Sequence, residues 1–72
     1  MNDTFEIRLR DEYIKLGQAL KAANLAEDGV EAKYMIQDGL VEVNGEKETR
    51  RGRKLYAGDV VSLKGNQIHI IG

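Results

Sequence analysis

The chain has no cysteine and a single histidine, His69. Disulfides, thiolate nucleophiles and cysteine-ligated zinc are excluded at once. One imidazole cannot build a metal site alone, and without cysteine no Cys/His catalytic set can be assembled. Gly-rich phosphate loops of the Walker or dinucleotide type are missing as well. No apolar run approaches the roughly 20 residues of a membrane span, and the acidic start lacks a signal-peptide pattern. These absences lead us to expect a cytoplasmic, non-catalytic protein with no cofactor, no metal, no membrane association and no small-molecule substrate.

What is present is a short, highly charged chain. Its 72 residues are expected to form one domain, residues 1–72, and a monomer. A chain of this size buries only about 60% of the surface it exposes when unfolded, which leaves room for one small core. A hydrophobic content of 42% beside 32% charged residues fits a folded domain rather than a disordered one. Net charge is −1, but its distribution is uneven. Residues 1–49 carry six Lys/Arg against eleven Asp/Glu, a balance of −5, whereas residues 50–72 carry five against one, a balance of +4. Segregated charge steers a ligand more effectively than the total does.

The stretch Gly39–Lys54 organises the rest. Gly39 closes a helix, Leu40, Val41 and Val43 supply a strand, and Asn44-Gly45 is a strong signal for a two-residue type I′ hairpin. A return strand, Glu46 to Thr49, leads into Arg50, Arg51, Arg53 and Lys54, four cations in five residues. A tight hairpin that delivers such a loop is suited to an anionic partner. Arginine predominance suits bidentate phosphate recognition. A solvated turn balancing the acidic first half is the plainer reading.

Along the chain, Thr4 to Leu9 alternates as a half-buried strand. Leu16, Ala19, Leu20 and Ala23 share one face of a first helix from about Gly17 to Ala23. Asp28 stands three residues before Glu31, the spacing of a capping box, and opens a second helix that runs to about Asp38. Ala32, Met35 and Ile36 point inward from it, while Lys33 and Gln37 share another side. Tyr34 is read as covering the core edge, with base stacking as the alternative. Val60–Leu63 and Gln67–Ile71 are further strands, and His69 is expected on the solvent side of an edge strand. The order β-α-α-β-β-β-β makes an α+β domain, two short packed helices against a small, mostly antiparallel sheet. Its expected core is Leu16, Ala19, Leu20, Ala32, Met35, Ile36, Val41, Val43, Leu55, Val60 and Val61.

Laid out in this way, the chain resembles the S4-type RNA-binding domain, or alpha-L motif. The matching residues are Leu16-Gly17-Gln18-Ala19-Leu20-Lys21, Glu31-Ala32-Lys33, Met35-Ile36, Gly39, Val41 and Val43-Asn44-Gly45. The pattern continues through Arg50-Arg51-Gly52-Arg53-Lys54-Leu55 and Gly58-Asp59-Val60-Val61. It spans about residues 13–64, with strands 4–9 and 67–71 flanking it, and is similar to the small stand-alone bacterial members. The resemblance implies binding to structured ribosomal RNA, the ribosome or tRNA through the helix pair and the neighbouring loop. Carried over by position, the RNA-facing candidates are Lys15, Lys21, Lys33 and Gln37 on the helical side and Arg50, Arg51, Arg53 and Lys54 on the loop. Many members place Ser or Thr with Arg at the start of the second helix; here Glu27-Asp28-Gly29 stands there. Carboxylates at that point repel phosphate, which shifts the expected contact to the loop. These loop cations are expected to have no role in the core.

Two other functions fit parts of the sequence. A small ubiquitin-like sulfur carrier can share the Val-Asn-Gly-Glu segment, Gly-Asp-Val and a terminal glycine, although that chemistry wants a flexible Gly-Gly tail. An interaction module could present the acidic half to a basic protein.

Overall fold

A computed structural model describes residues 3–72. Its elements are β1 (Thr4–Arg8), β2 (Ile14–Lys15), α1 (Leu16–Ala22), α2 (Gly29–Gln37), β3 (Val41–Val43), β4 (Glu46–Lys47), β5 (Lys54–Leu55), β6 (Val60–Leu63) and β7 (Asn66–Ile71). The α+β class is as expected. The strand count is not, because β2 and β5 add a second, two-stranded sheet. Its register pairs Ile14 with Leu55 and Lys15 with Lys54. The return strand of the hairpin also stops at Lys47, short of Thr49.

The five-stranded sheet has the order β1-β7-β6-β3-β4. All its pairings are antiparallel except that of β1 with β7. His69 therefore lies on a strand flanked on both sides, half-buried, rather than on an edge. The edges are β1 and β4; Phe5 and Ile7 of β1, and Leu9 just after it, are only partly covered by the core.

Local chemistry accounts for the ends of α2. The Asp28 carboxylate accepts the Glu31 N–H at 2.8 Å, and the Glu31 carboxylate accepts the Glu27 N–H at 2.9 Å. This is a capping box whose return bond lands one residue earlier than usual. At the other end Gly39 adopts φ 77°. Its N–H reaches the Ile36 carbonyl and the Leu40 N–H reaches that of Met35, a Schellman motif that satisfies the last carbonyls. Asn44 and Gly45, at φ 53° and 84°, form the left-handed pair that a type I′ turn requires. The Asn44 side chain also ties this hairpin to the turn before β6: its Nδ2 donates to Asp59 and its Oδ1 accepts the Val60 N–H.

The core lies between the helix pair and the sheet. Leu16, Ala19, Leu20, Ala32, Ile36, Val41, Val43, Leu55 and Val61 are buried as expected. Met35 and Val60 are only half-buried, and Ala23, Ala26, Leu63, Ile68 and Ile70 complete the cluster. Tyr34 does not cover the core edge; it is 58% exposed on α2, one turn from exposed Val30. Among the described residues no helix is long and apolar enough to cross a membrane.

Candidate nucleic-acid interface

The basic loop is fastened to the start of α1 by backbone. Besides the β2–β5 pairing, Leu16 N–H donates to the Arg53 carbonyl at 2.8 Å and Gly17 N–H to the Arg51 carbonyl at 3.0 Å. The loop chain and the first turn of α1 are therefore joined through their main chains. Gly17 packs directly beneath Arg51, with the arginine's Cβ 3.8 Å from where a Gly17 Cβ would stand.

This docking creates an open groove of about 230 Å³, lined by Lys15, Gly17, Gln18, Lys21, Arg51, Gly52 and the first residue of α2, Gly29. Three of the eight expected site residues converge there, Lys15 from β2, Lys21 from α1 and Arg51 from the loop before β5. A concavity with three cations and glycine backbone at its walls can take a phosphate group: the glycines admit close approach, and arginine offers a planar fork of donors.

The other candidates are placed differently. Arg50 and Arg53 turn to Glu48, a residue with no functional part in the sequence reading, which is buried to 5% exposure. Its Oε2 accepts from the backbone N–H of Thr49 and Arg50 and from Arg50 Nε, while its Oε1 accepts from Arg50 Nη2 and Arg53 Nη1. Five donors on one carboxylate leave no buried polar side-chain atom unpaired among the described residues. The hydrogen bond from Arg50 above all, joined by that from Arg53, outweighs the desolvation of burial and holds the Glu48 carboxyl down at about 2. The same contact raises the Arg50 pKa above its ordinary value.

The two arginines are not equivalent. The Arg50 side chain remains 75% exposed while bonded to Glu48, so it still presents positive charge to solvent; that of Arg53 is 30% exposed. Arg53 is thus a structural partner of a buried carboxylate, which corrects the expectation that the loop cations have no role in the core. Lys54 sits over the ring of Tyr13, its Nζ 4.8 Å from the centroid. Tyr13 in turn packs against Tyr56 with ring centroids 6.0 Å apart. Lys33, half-buried, and Gln37, exposed, lie on α2 outside the lining of the groove.

A model of the S4 domain matches residues 7–71, nearly the whole chain. The chain belongs to the S4 domain family. Among proteins similar to this S4 domain is the "Probable ribosome maturation protein RlbA" of Bacillus subtilis (strain 168), 48% identical over 59 residues, or 82% of this chain and 83% of that protein. YbcJ of Escherichia coli (strain K12) is 36% identical over 59 residues, covering 82% of this chain and 84% of its own. The solution structure of YbcJ superposes with a TM-score of 0.69 at 33% identity, covering 96% of this chain and 86% of that one. That structure is described as revealing an alfaL motif involved in RNA-binding. In this S4 domain the helix pair and the basic loop meet at the groove of Lys15, Lys21 and Arg51, with Glu48 holding the loop behind it.

Proposed function

We propose that this S4 domain is a non-catalytic RNA-binding protein that docks on structured ribosomal RNA in the cytoplasm, as a monomer. It seats a backbone phosphate in the groove between α1, the start of α2 and the basic loop. The observation that carries the reading is the convergence of Lys15, Lys21 and Arg51 on one concavity that Gly17, Gly29 and Gly52 also line. The naming of RlbA as a ribosome maturation protein and of the YbcJ motif as involved in RNA-binding favours ribosomal RNA over tRNA.

Recognition in this reading is by shape. Long cationic side chains on a rigid frame measure the spacing of phosphates and leave base sequence largely unread. Arg50 adds charge at the rim. The acidic first half of the chain repels RNA elsewhere and so fixes the orientation of approach. A sulfur carrier is not favoured: β7 runs through Ile71, and the Gly72 carbonyl is held at 3.1 Å by the Arg8 guanidinium rather than lying on a loose tail.

Co-sedimentation with purified ribosomal subunits, followed by crosslinking, tests the proposal. Recovery with subunits and crosslinks from RNA to Arg51 and Lys21 support it. A protein that stays in the supernatant at low salt, or whose crosslinks are all to ribosomal proteins, overturns it.

A further inference from the structure

A second and larger concavity lies on the other side of α1. It is an open groove of about 730 Å³ between the edge strand β1 with its following turn and the outer face of α1. Ile7, Leu9 and Ile14, all half-buried, contribute apolar surface to it, and β1 has no strand beyond it. Arg10, Lys21 and Tyr13 supply the charge and the aromatic ring. Lys21 and Gln18 line this groove and the proposed phosphate groove alike, so the two are neighbours that share a wall on α1.

We infer that this second groove receives an unpaired nucleotide of the bound RNA, the one adjoining the phosphate held by Arg51. The inference rests on the RNA-binding reading and extends it to a site with a different chemistry. A duplex offers only backbone and groove edges to a protein this small, whereas an unstacked base can be drawn out onto apolar and aromatic surface. The groove has the size of a small-molecule site, and its lining sets the apolar Ile7, Leu9 and Ile14 beside three cations, Arg8, Arg10 and Lys21. Lys54 sits over one face of the Tyr13 ring. Lys21, shared by both grooves, would bridge successive phosphates, and Arg10 is an exposed cation with no ion-pair partner among the described residues. Asp11 is the one carboxylate in the lining. It repels phosphate but can accept from the amino group of a base, which orients the nucleotide with its base toward Asp11 and its phosphate toward Lys21 and Arg10. Recognition would then combine a shape-reading phosphate seat with a pocket that demands an unpaired residue next to it.

The test is a methyl and amide NMR titration of the full chain with two probes, a short single-stranded oligocytidylate, whose bases carry an amino group, and an RNA duplex of the same length. The expected result is that both probes shift Gly17 and Arg51, and that only the single strand shifts the methyls of Ile7, Leu9 and Ile14. Arg10→Ala should then reduce the salt dependence of single-strand affinity by about one phosphate contact, roughly 0.7 in log K per log[salt], and leave that of the duplex unchanged. Shifts confined to Gly17 and Arg51 with both probes would overturn the nucleotide site while sparing the phosphate groove. Equal shifts at Ile7 and Leu9 with both probes would also overturn it. No shift at either groove with either probe would overturn the RNA-binding reading itself.

Discussion

Nη1 of Arg53 donates to Oε1 of the buried Glu48 at 2.9 Å, across five residues of the loop. This bond, with the bonds from Arg50 to the same carboxylate, converts a run of like charges into a folded object. Four neighbouring cations repel one another and would splay in water. A carboxylate beneath them offsets that repulsion, fixes the loop's path, and leaves Arg51 outward on the groove wall. The positive surface is therefore positioned by a negative charge that lies out of solvent.

Glu48→Gln should show this directly. An amide supplies one acceptor where the carboxylate supplies two, and it leaves Arg50 and Arg53 without their counter-charge. We expect a loss of roughly 1–3 kcal/mol, the range for hydrogen bonds to charged groups and for buried groups left unsatisfied. Urea denaturation measures it. The amide signal of Gly17, bonded to the loop at Arg51, should move as well. Wild-type stability with an unmoved Gly17 would mean that the loop is held by its backbone alone.

Acid should have the same effect on the wild type. The Glu48 carboxyl is held at about 2 in the folded protein, whereas in the unfolded chain it lies near 4.3. The unfolded state therefore takes up the proton first, and acid favours unfolding. Glu48's contribution is fully present above about pH 5 and is lost as the pH falls through 4 towards 2. Denaturation midpoints at a series of pH values should show the gap between wild type and Glu48→Gln closing over that window. A gap that stayed constant would place the carboxyl's titration elsewhere.

Leu20→Ala probes the core beneath the interface. Leu20 is fully buried in α1, next to the exposed Lys21. The substitution should cost about 2–5 kcal/mol, enough to unfold much of so small a domain. Thermal unfolding with little change in midpoint would show that the site collapses around the lost side chain.

Much of this was legible in the sequence, for reasons that also mark where it stopped. Leu16, Ala19 and Leu20 show the helical period, Asp28 and Glu31 the cap spacing, and Asn44-Gly45 a turn that few other residue pairs can make. The strands β2 and β5 could not be read, because two residues show no period and their pairing depends on a contact forty residues away. Glu48 was hidden by its type, since a glutamate in a hairpin is ordinarily solvated. The signal was nevertheless there: counting back across the Asn44-Gly45 turn puts Glu48 opposite Val41, and its N–H bonds the Val41 carbonyl. That register directs it to the core face, where only nearby arginines could make its charge tolerable. Lys54 and Arg53 look like further members of the basic run, but Tyr13 and Glu48 hold them, and nothing in the spacing distinguishes them from Arg51.

The central claim is that Arg51, with Lys15 and Lys21, seats RNA phosphate. The most direct measurement is the affinity for purified bacterial ribosomal RNA across a salt series, comparing wild type with Arg51→Ala and with Lys64→Ala, a cation outside the groove. Each phosphate contact contributes a slope of roughly −0.7 to −0.9 in log K against log[salt], so three should give about −2 to −3. Arg51→Ala should weaken binding at every salt concentration and flatten the slope by about one contact, with stability unchanged because Arg51 is exposed and bonds the helix only through its backbone. Lys64→Ala should match the wild type. A folded Arg51→Ala protein with wild-type affinity and slope, or an equal loss in Lys64→Ala, would contradict the account.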